Sequence, residues 1–477
     1  MKKNAKGVTA EKDEFSEWFT QIMMKAELAE YTGVSGAIVF RPGAYALWEK
    51  IQSEVDKRFK KLGIKNAYFP LLIPEKSLAK ESEHVEGFTP EVAWVTYAGN
   101  TKLSERLAVR PTSEAIMYES YSKWIRSWRD LPLKLNQWNN VVRWEFKHPV
   151  PFLRTREFLW NEGHTVFASE DEALAEGPKV MKIYQEVCEE FLGLYGVLGR
   201  KTEKEKFAGA VFSEKIHYVM PNGKAIEGPA FHHDGQNFAR AYDIKFLNKK
   251  GKEELAWQNT FAITTRMLGV MFAVHSDDKG LVLPPEIAVD KVVIVPILFE
   301  DSKAEVLKVA KDIQKKLGVG VILDDREEHK PGFKFNEWEM KGVPLRIEIG
   351  PKDIGKGTVV LVRRDDGEKE LVKIGKVKAR VEELLDEIQE NLFVKSKKLW
   401  EGNVVHARNM PELKKMIDKK KIVVVPLAAG NEVEEDLKFK TGGAKTLFVS
   451  EEELKGGERC VVSGEKADYF VYVGKSY

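Results

Sequence analysis

Residues 133–167 read LKLNQWNNVVRWEFKHPVPFLRTREFLWNEGHTVF. Aromatic and β-branched residues crowd both ends, while Pro149 and Pro151, which cannot donate to a ladder, sit in the middle. The stretch therefore predicts two long strands joined by a polar loop. Side chains alternate faces along a strand, which sets Arg143 and Glu145 on one face of the first arm and Val142, Trp144 and Phe146 on the other. On the returning arm Arg154, Arg156, Phe158, Trp160, Glu162 and His164 share a parity. The ribbon so formed carries cations, carboxylates, an imidazole and aromatic rings along one side.

Cross-strand ion pairs on a solvated face are the ordinary explanation of such a pattern. The residue types point further. Arginines on opposite arms, Arg143 and Arg154, can clamp phosphates from two directions, and an interleaved carboxylate can accept a hydrogen bond from an adenine amine. The string Arg143-Trp144-Glu145 followed by FLRTREFLWNEGH resembles motif 2 of class II aminoacyl-tRNA synthetases, in particular prolyl-tRNA synthetases of the archaeal and eukaryotic type. The resemblance runs over nearly the whole chain. It implies an α+β catalytic domain, an antiparallel sheet with helices, over residues 1–287. An α/β anticodon-binding domain over 288–388 and a small α/β C-terminal domain over 389–477 follow.

A chain of 477 residues is too long for one core. Its 43% hydrophobic and 31% charged content describe an ordinary soluble globular protein. A net charge of +2 neither supports nor excludes an RNA partner, which needs only a local basic surface. Cys188 and Cys460 propose neither a disulfide framework nor a metal cluster and fit a reducing cytoplasm. No apolar run is long enough to span a membrane, so no membrane segment is expected.

Phe15, Trp18, Phe19, Ile22 and Met23 give one amphipathic helix, and Leu47, Ile51, Val55 and Phe59 a longer one that ends near Gly63. That helix and the apolar NAYFPLLIP after it resemble motif 1, which implies a homodimer. Arg110-Pro111-Thr112-Ser113-Glu114 opens another helical pattern, where a hydroxyl residue is by itself more often an N-cap than a ligand. It resembles the family's Thr-x-Glu loop, which implies that Thr112 and Glu114 meet the two protons on the proline nitrogen. Residues 170–195 predict a helix with Cys188 in its core face. Residues 165–235 are too few to hold an inserted folded domain, so the bacterial-type editing domain is not expected.

The same resemblance makes Phe207 the apolar wall of the amino-acid pocket, with Trp160, Glu162, His164 and His232 shaping it. It places Arg143 on the α-phosphate and the proline carboxylate, and Arg154 and Arg266 on the outer phosphates. Glu145, Thr155, Phe158 and Glu227 complete the ATP site. The chain departs from the family at Glu227 and Ala230, where glutamine and threonine are usual. It departs again at Thr260-Phe261-Ala262, where Ser-Trp-Gly is usual. A glutamate beside a phosphate-rich ligand costs affinity unless Mg2+ or a proton compensates it.

From 288 onward strands and helices alternate, which predicts a largely parallel sheet. The segment HKPGFKFNEWEMKGVPLRIEIGPKD implies, by resemblance, that Glu339 and Lys352 contact the anticodon. The tail resembles the family's zinc-bearing C-terminal domain, but Ala428, Val433 and Val462 stand where three of four cysteines are usual and only Cys460 remains. One thiolate cannot build a structural zinc site, so no zinc is expected. The reading is a homodimeric ligase joining L-proline to proline tRNA with ATP and Mg2+, cytoplasmic and without a metal bound by the protein. Two alternatives stay open: a paralogue with altered amino acid or ATP use, and a non-catalytic RNA-binding descendant.

Overall fold

The computed structural model describes residues 7–78, 91–145 and 148–477. Phe146, assigned a face above, lies outside them. One sheet takes up β1 (Lys65–Asn66), β2 (Leu133–Val142), β3 (Glu157–Phe167), β4 (Val197–Arg200), β5 (Phe212–Val219), β6 (Ala225–Gly235) and β7 (Trp257–Thr264). Neighbours run β4-β5-β6-β7-β3-β2-β1, antiparallel except for the short edge strand β1, which runs parallel to β2.

β2 and β3 form the expected hairpin, with Gln137 opposite Glu162 and Asn139 opposite Trp160. Its arms are shorter than the residue pattern suggests. Arg143 N still donates to Arg156 O at 2.8 Å, but the chain then turns through Trp144 and Glu145. Arg143, Glu145, Arg154 and Arg156 therefore belong to the connection, and strand alternation does not assign their faces.

Helices cover the back of the sheet. Pro42–Lys61 buries Leu47, Ile51, Val55 and Phe59, as the four-residue spacing requires. Phe59 meets the edges of Tyr184 and Phe261 at 5.6 and 5.3 Å. Phe261 lies directly across from Gly163, where a Cβ would stand 1.9 Å from its ring, so only glycine fits. The helix expected over 170–195 is two, Glu170–Leu174 and Gly177–Glu190, separated by a turn at Ala175 and Glu176. Glu176 is buried there and accepts hydrogen bonds from Thr165 and Asn259. Cys188 is core, its thiol pushed up to about 12 by burial. Residues 165–235 are all spent on the end of β3, these two helices, β4–β6 and their connections.

A second sheet holds β8 (Val292–Pro296), β9 (Val321–Leu323), β10 (Leu345–Ile349), β11 (Thr358–Arg363) and β12 (Lys369–Lys373). β8 runs parallel to β9 and β10, but β10–β11 and β11–β12 are antiparallel, so the sheet is mixed and not largely parallel. The connection between β11 and β12 is a tight turn with Gly367 at φ +78°, and a turn that short can only return the chain antiparallel. Ile294, Leu345, Ile347 and Leu361 pack there against the helices Lys303–Leu317 and Val377–Asn403.

The tail adds β13 (Val404–His406), β14 (Ile422–Leu427), β15 (Lys445–Val449) and β16 (Tyr469–Gly474). These strands do not make a separate sheet. β15 pairs with β4 at Val449 and Arg200, so the order β13-β14-β16-β15 continues into β4 and the sheet reaches eleven strands. Cys460, Ala428, Val433 and Val462 belong to one apolar cluster, and Cys460 Sγ accepts the Val462 and Ser463 N–H groups at 3.4 Å. One thiol among three alkyl side chains offers zinc no tetrahedral donor set.

Candidate active site

The front face of β3, β6 and β7 floors a cavity of about 410 Å³. Period two along β3 brings Phe158, Trp160, Glu162 and His164 to this face. Glu162 is the hub of the floor. Its carboxylate accepts from Ser113 N at 3.1 Å, Gln137 Nε2 at 2.9 Å, Asn139 Nδ2 at 2.7 Å and the Ser113 hydroxyl. The Thr112 hydroxyl donates to it at 3.5 Å, and His164 Nε2 lies 3.3 Å away. Burial pushes the Glu162 carboxyl up, but His164, Ser113 and Asn139 together hold it at about 2. Burial likewise lowers His164, yet the hydrogen bond to Glu162 and the charges of Glu114 and Glu162 raise it above its ordinary value. Tyr118 OH meets the other ring nitrogen at 3.1 Å.

Ser113 stands at the N-cap of the helix Glu114–Trp124, but its side chain makes no capping bond and points to Glu162 instead. That arrangement turns Thr112 and Glu114 into the cavity, where the Thr112 hydroxyl donates to Glu114 Oε2. Glu114, Glu162 and His164 bring ligand atoms within 4.8 Å of one another. As a metal site the group is poor, because Glu162 and both His164 nitrogens are already engaged by protein partners. What the corner offers is negative charge, a setting for a buried ammonium.

The opposite end of the cavity is cationic. Arg143 Nε donates to Pro111 O at 2.9 Å, and the guanidinium lies 5.2 Å from the Trp160 ring and 5.7 Å from Phe158. Arg266 opens the helix Arg266–His275, with Nε on Leu153 O and Nη1 on Glu227 O, each at 3.1 Å. Burial first, then the charges of Arg143 and Arg154 against the pull of Glu227, lower the Arg266 pKa. Cations that repel one another around a cavity make an anion site. Arg154 is exposed near this end, and Thr155 lines the wall.

Phe207 lines another wall of the cavity. Its N–H donates to Ser213 Oγ at 2.9 Å, and its ring stacks obliquely on His232 at 4.8 Å. Ser213 also meets His232 Nδ1 at 2.7 Å, and burial with the nearby Lys215 and Arg143 charges holds His232 down at about 3, hence neutral.

Residues 96–275 match the family model for the tRNA synthetase class II core domain (G, H, P, S and T). Residues 291–384 match an anticodon binding domain, and 410–477 the prolyl-tRNA synthetase C-terminal domain. The chain is 44% identical to the cytoplasmic proline–tRNA ligase of Arabidopsis thaliana, over all of this chain and 92% of that protein. It is 44% identical to the proline–tRNA ligase of Cenarchaeum symbiosum over 99% of each. The prolyl-tRNA synthetase of Cryptosporidium parvum, crystallised with halofuginone and AMPPNP, superposes with a TM-score of 0.94 at 40% identity, covering 99% of this chain and 98% of that one. The chain belongs to the prolyl-tRNA synthetase family.

The synthetase gathers Thr112, Glu114, Arg143, Thr155, Phe158, Trp160, Glu162, His164, Phe207, His232 and Arg266 around one cavity. Arg154, Glu227, Glu145 and Arg156 do not line it. Glu145 is exposed in the turn after β2. Arg156 lies over Trp144 at 4.4 Å, donates from Nη1 to Ser35 O and from its backbone N–H to Gly36 O, and so faces away. Glu339 is half-buried 3.5 Å from Arg346, and Lys352 is exposed on the short helix Pro351–Ile354, both in the second sheet's unit.

Glu227 corrects the expectation attached to it. Neither Mg2+ nor a proton is needed to compensate its charge: Lys201 Nζ lies 2.9 Å from one oxygen and Lys215 Nζ 2.7 Å from the other. Burial pushes this carboxyl up, but Lys215 and Lys201 hold it well below the ordinary range. Ala230 and Ala262 are register partners and both line the cavity. The residue pattern did not single out Lys215, Ser113, Gln137 or Asn139. Gln137 and Asn139 were readable from the period-two alternation of β2, which sets them on the Glu162 face.

Among the described residues no helix is long and apolar enough to cross a membrane.

Proposed function

We infer that the chain is an ATP-dependent proline–tRNA ligase. The proline carboxylate attacks the α-phosphorus of ATP, pyrophosphate leaves, and a terminal ribose hydroxyl of proline tRNA then displaces AMP from prolyl-adenylate. The observation that carries this reading is the juxtaposition in one cavity of a carboxylate corner at Glu114 and a cationic end at Arg143 and Arg266. Proline presents the complementary pair, a secondary ammonium and a carboxylate to be joined to a polyphosphate.

Glu114 and Thr112 take the two protons of the ring nitrogen. Glu162, saturated by protein donors, fixes Ser113 and His164 and so holds that corner rigid. Phe207, Trp160 and His232 enclose the ring. Arg143 bridges the substrate carboxylate and the α-phosphate, where charge grows in the transition state. Arg266 and Arg154 hold the outer phosphates, which arrive with Mg2+. Thr155 and Phe158 line the nucleotide's path. AMPPNP in the Cryptosporidium parvum structure, an ATP analogue, supports nucleotide binding in this cavity. Neither step requires a protein nucleophile.

Residues 1–287 form the catalytic domain, 288–388 the anticodon-binding domain with Glu339 and Lys352 reading bases, and 389–477 a zinc-free C-terminal domain. The enzyme acts as a homodimer in the cytoplasm. Tyr31, Val39, Tyr45, Tyr68 and Leu72, exposed on and around the helix Pro42–Lys61, support an interface there. The test is exchange of labelled pyrophosphate into ATP across an amino acid panel. Proline should dominate; no exchange, or exchange led by another amino acid, refutes the reading.

A further inference from the structure

Glu227 is flanked by two lysines, and a single carboxylate cannot neutralise both. Lys201, whose side chain is fully buried, lies 2.9 Å from one carboxylate oxygen and donates to Leu447 O at 2.6 Å, so that cation is paired and satisfied inside the protein. Lys215 Nζ lies 2.7 Å from the other oxygen. An ion pair made for stability would be complete with Lys201; the second lysine leaves the group with an excess positive charge. Of the three residues only Lys215 lines the cavity, so the excess charge is presented there.

The strands aim Lys215 for such a role. Period two along β5 puts it on the face of Ser213, whose hydroxyl meets the cavity residue His232 at 2.7 Å. Across the ladder it stands opposite Ala230, a methyl group that leaves room for a long side chain. An ammonium has three donors, and among the described residues Glu227 is the one hydrogen-bond partner of this one, so donors remain for a ligand.

The neighbouring cations say which ligand. Glu227 fixes a second cavity cation through its main chain, where its carbonyl accepts from Arg266 Nη1 at 3.1 Å. Burial first, then the charges of Lys215 and Arg143, keep His232 neutral, so the ammonium acts on the same part of the cavity as Arg143. Lys215 therefore belongs with Arg143 and Arg266, the residues given to the α-phosphate and the outer phosphates.

We propose that Lys215 is a further phosphate-binding residue of the activation site, its ammonium held by Glu227 toward the α-phosphate that passes from ATP to prolyl-adenylate. The proposal rests on the reading of the cavity as a site of ATP-dependent amino-acid activation. As the carboxylate oxygen bonds to the α-phosphorus and the bond to pyrophosphate breaks, negative charge gathers on the non-bridging oxygens, and a lysine beside Arg143 stabilises it as a point charge. Glu227 is then a positioning residue for two cations, Lys215 through its side chain and Arg266 through its carbonyl.

Calorimetric titration of the full-length enzyme with AMP and with adenosine separates a phosphate contact from any other role. Lys215→Met should weaken AMP by about ten- to hundredfold and leave adenosine within about threefold of wild type. The variant keeps the Lys201–Glu227 pair, so Tm should not fall, and the retained adenosine affinity reports an intact site. The proposal is overturned if AMP affinity stays within about threefold of wild type, or if AMP and adenosine weaken together. It is overturned as well if the loss falls on proline and not on AMP, which gives the ammonium to the amino acid's carboxylate. If the unmodified enzyme binds neither AMP nor adenosine, the nucleotide reading of the cavity fails first and takes the proposal with it.

Discussion

Replacing Glu227 with glutamine, the residue usual in the family, should destabilise this enzyme. The carboxylate sits between Lys201, whose side chain is 0% exposed, and Lys215, whose side chain is 20% exposed. Without it Lys201 keeps a carbonyl, Leu447 O at 2.6 Å, but loses its counter-charge. Removing one partner of a buried ion pair costs about 3–5 kcal/mol. Glu227 is 24% exposed, so solvent takes up part of that cost and about 2–3 kcal/mol remains. The pH dependence has a definite sign. A carboxylate held below its ordinary value contributes stability above the unfolded pKa, near 4.5, and loses it as pH falls through the folded value. The gap between wild type and Glu227→Gln should therefore be constant between about pH 6 and 8 and narrow below about pH 4.5. Urea denaturation midpoints across that range measure it. Adding Lys201→Met to Glu227→Gln should recover much of the loss, because the orphaned charge goes with it. A Glu227→Gln protein within about 0.5 kcal/mol of wild type at pH 7, the range of an exposed substitution, would refute the ion-pair argument.

Arg143→Ala should lower pyrophosphate exchange by about 100- to 1,000-fold while tRNA binding persists, and exchange within a few-fold of wild type would remove Arg143 from the α-phosphate. Glu114→Ala leaves the proline ammonium desolvated and unpaired, so proline activation should lose roughly 3 kcal/mol or more; an unchanged KM for proline with normal kcat would show the nitrogen bound elsewhere. Elemental analysis should find no stoichiometric zinc, and chelators should leave Tm unmoved; about one zinc per chain would mean that other ligands had been recruited. Alanine, smaller than proline, is rejected only through lost packing worth about 1–3 kcal/mol, so the enzyme alone should form alanyl-tRNA that persists. Deacylation much faster with enzyme than in buffer would expose an editing activity that residues 165–235 do not account for.

What could be read in advance was whatever depends on local period. The helix Pro42–Lys61, the buried face containing Cys188 and the β2–β3 hairpin all followed from spacing, because one buried face imposes one repeat. Thr112 and Glu114 were legible through the resemblance to the family's Thr-x-Glu loop alone, since local spacing favoured an N-cap there. Turns and long-range pairings were not. The early end of β2 left Glu145 and Arg156 in the connection, where alternation assigns no face, and no alternation rule reports where a strand stops. Glu227 drew its neutralising lysines from strand β5 and from the residue that follows β4. His217 is its register partner, and the irregularity between Lys215 and His217 brings Lys215 to the carboxylate. The antiparallel strands β11 and β12 were hidden by a helix–strand alternation that holds only as far as β10. The union of β15 with β4 rests on Val449 and Arg200 and leaves no mark in composition.

That union bears on how the molecule is made. The loop after β4, which carries Glu205, Lys206 and Phe207 to the cavity, is fastened from the far side of the sheet. Lys445 pairs with Glu205 at 2.9 Å, Glu434 accepts from Thr202 at 3.0 Å, and Lys204 meets Glu435. Lys445 is synthesised 240 residues after Glu205. A nascent chain builds its regions from the amino terminus onward, so the cavity's other walls can form while this loop still lacks its brace. The segment that fastens this loop is thus made some 240 residues after the loop itself, and the wall of the cavity at Phe207 stays unbraced until it arrives.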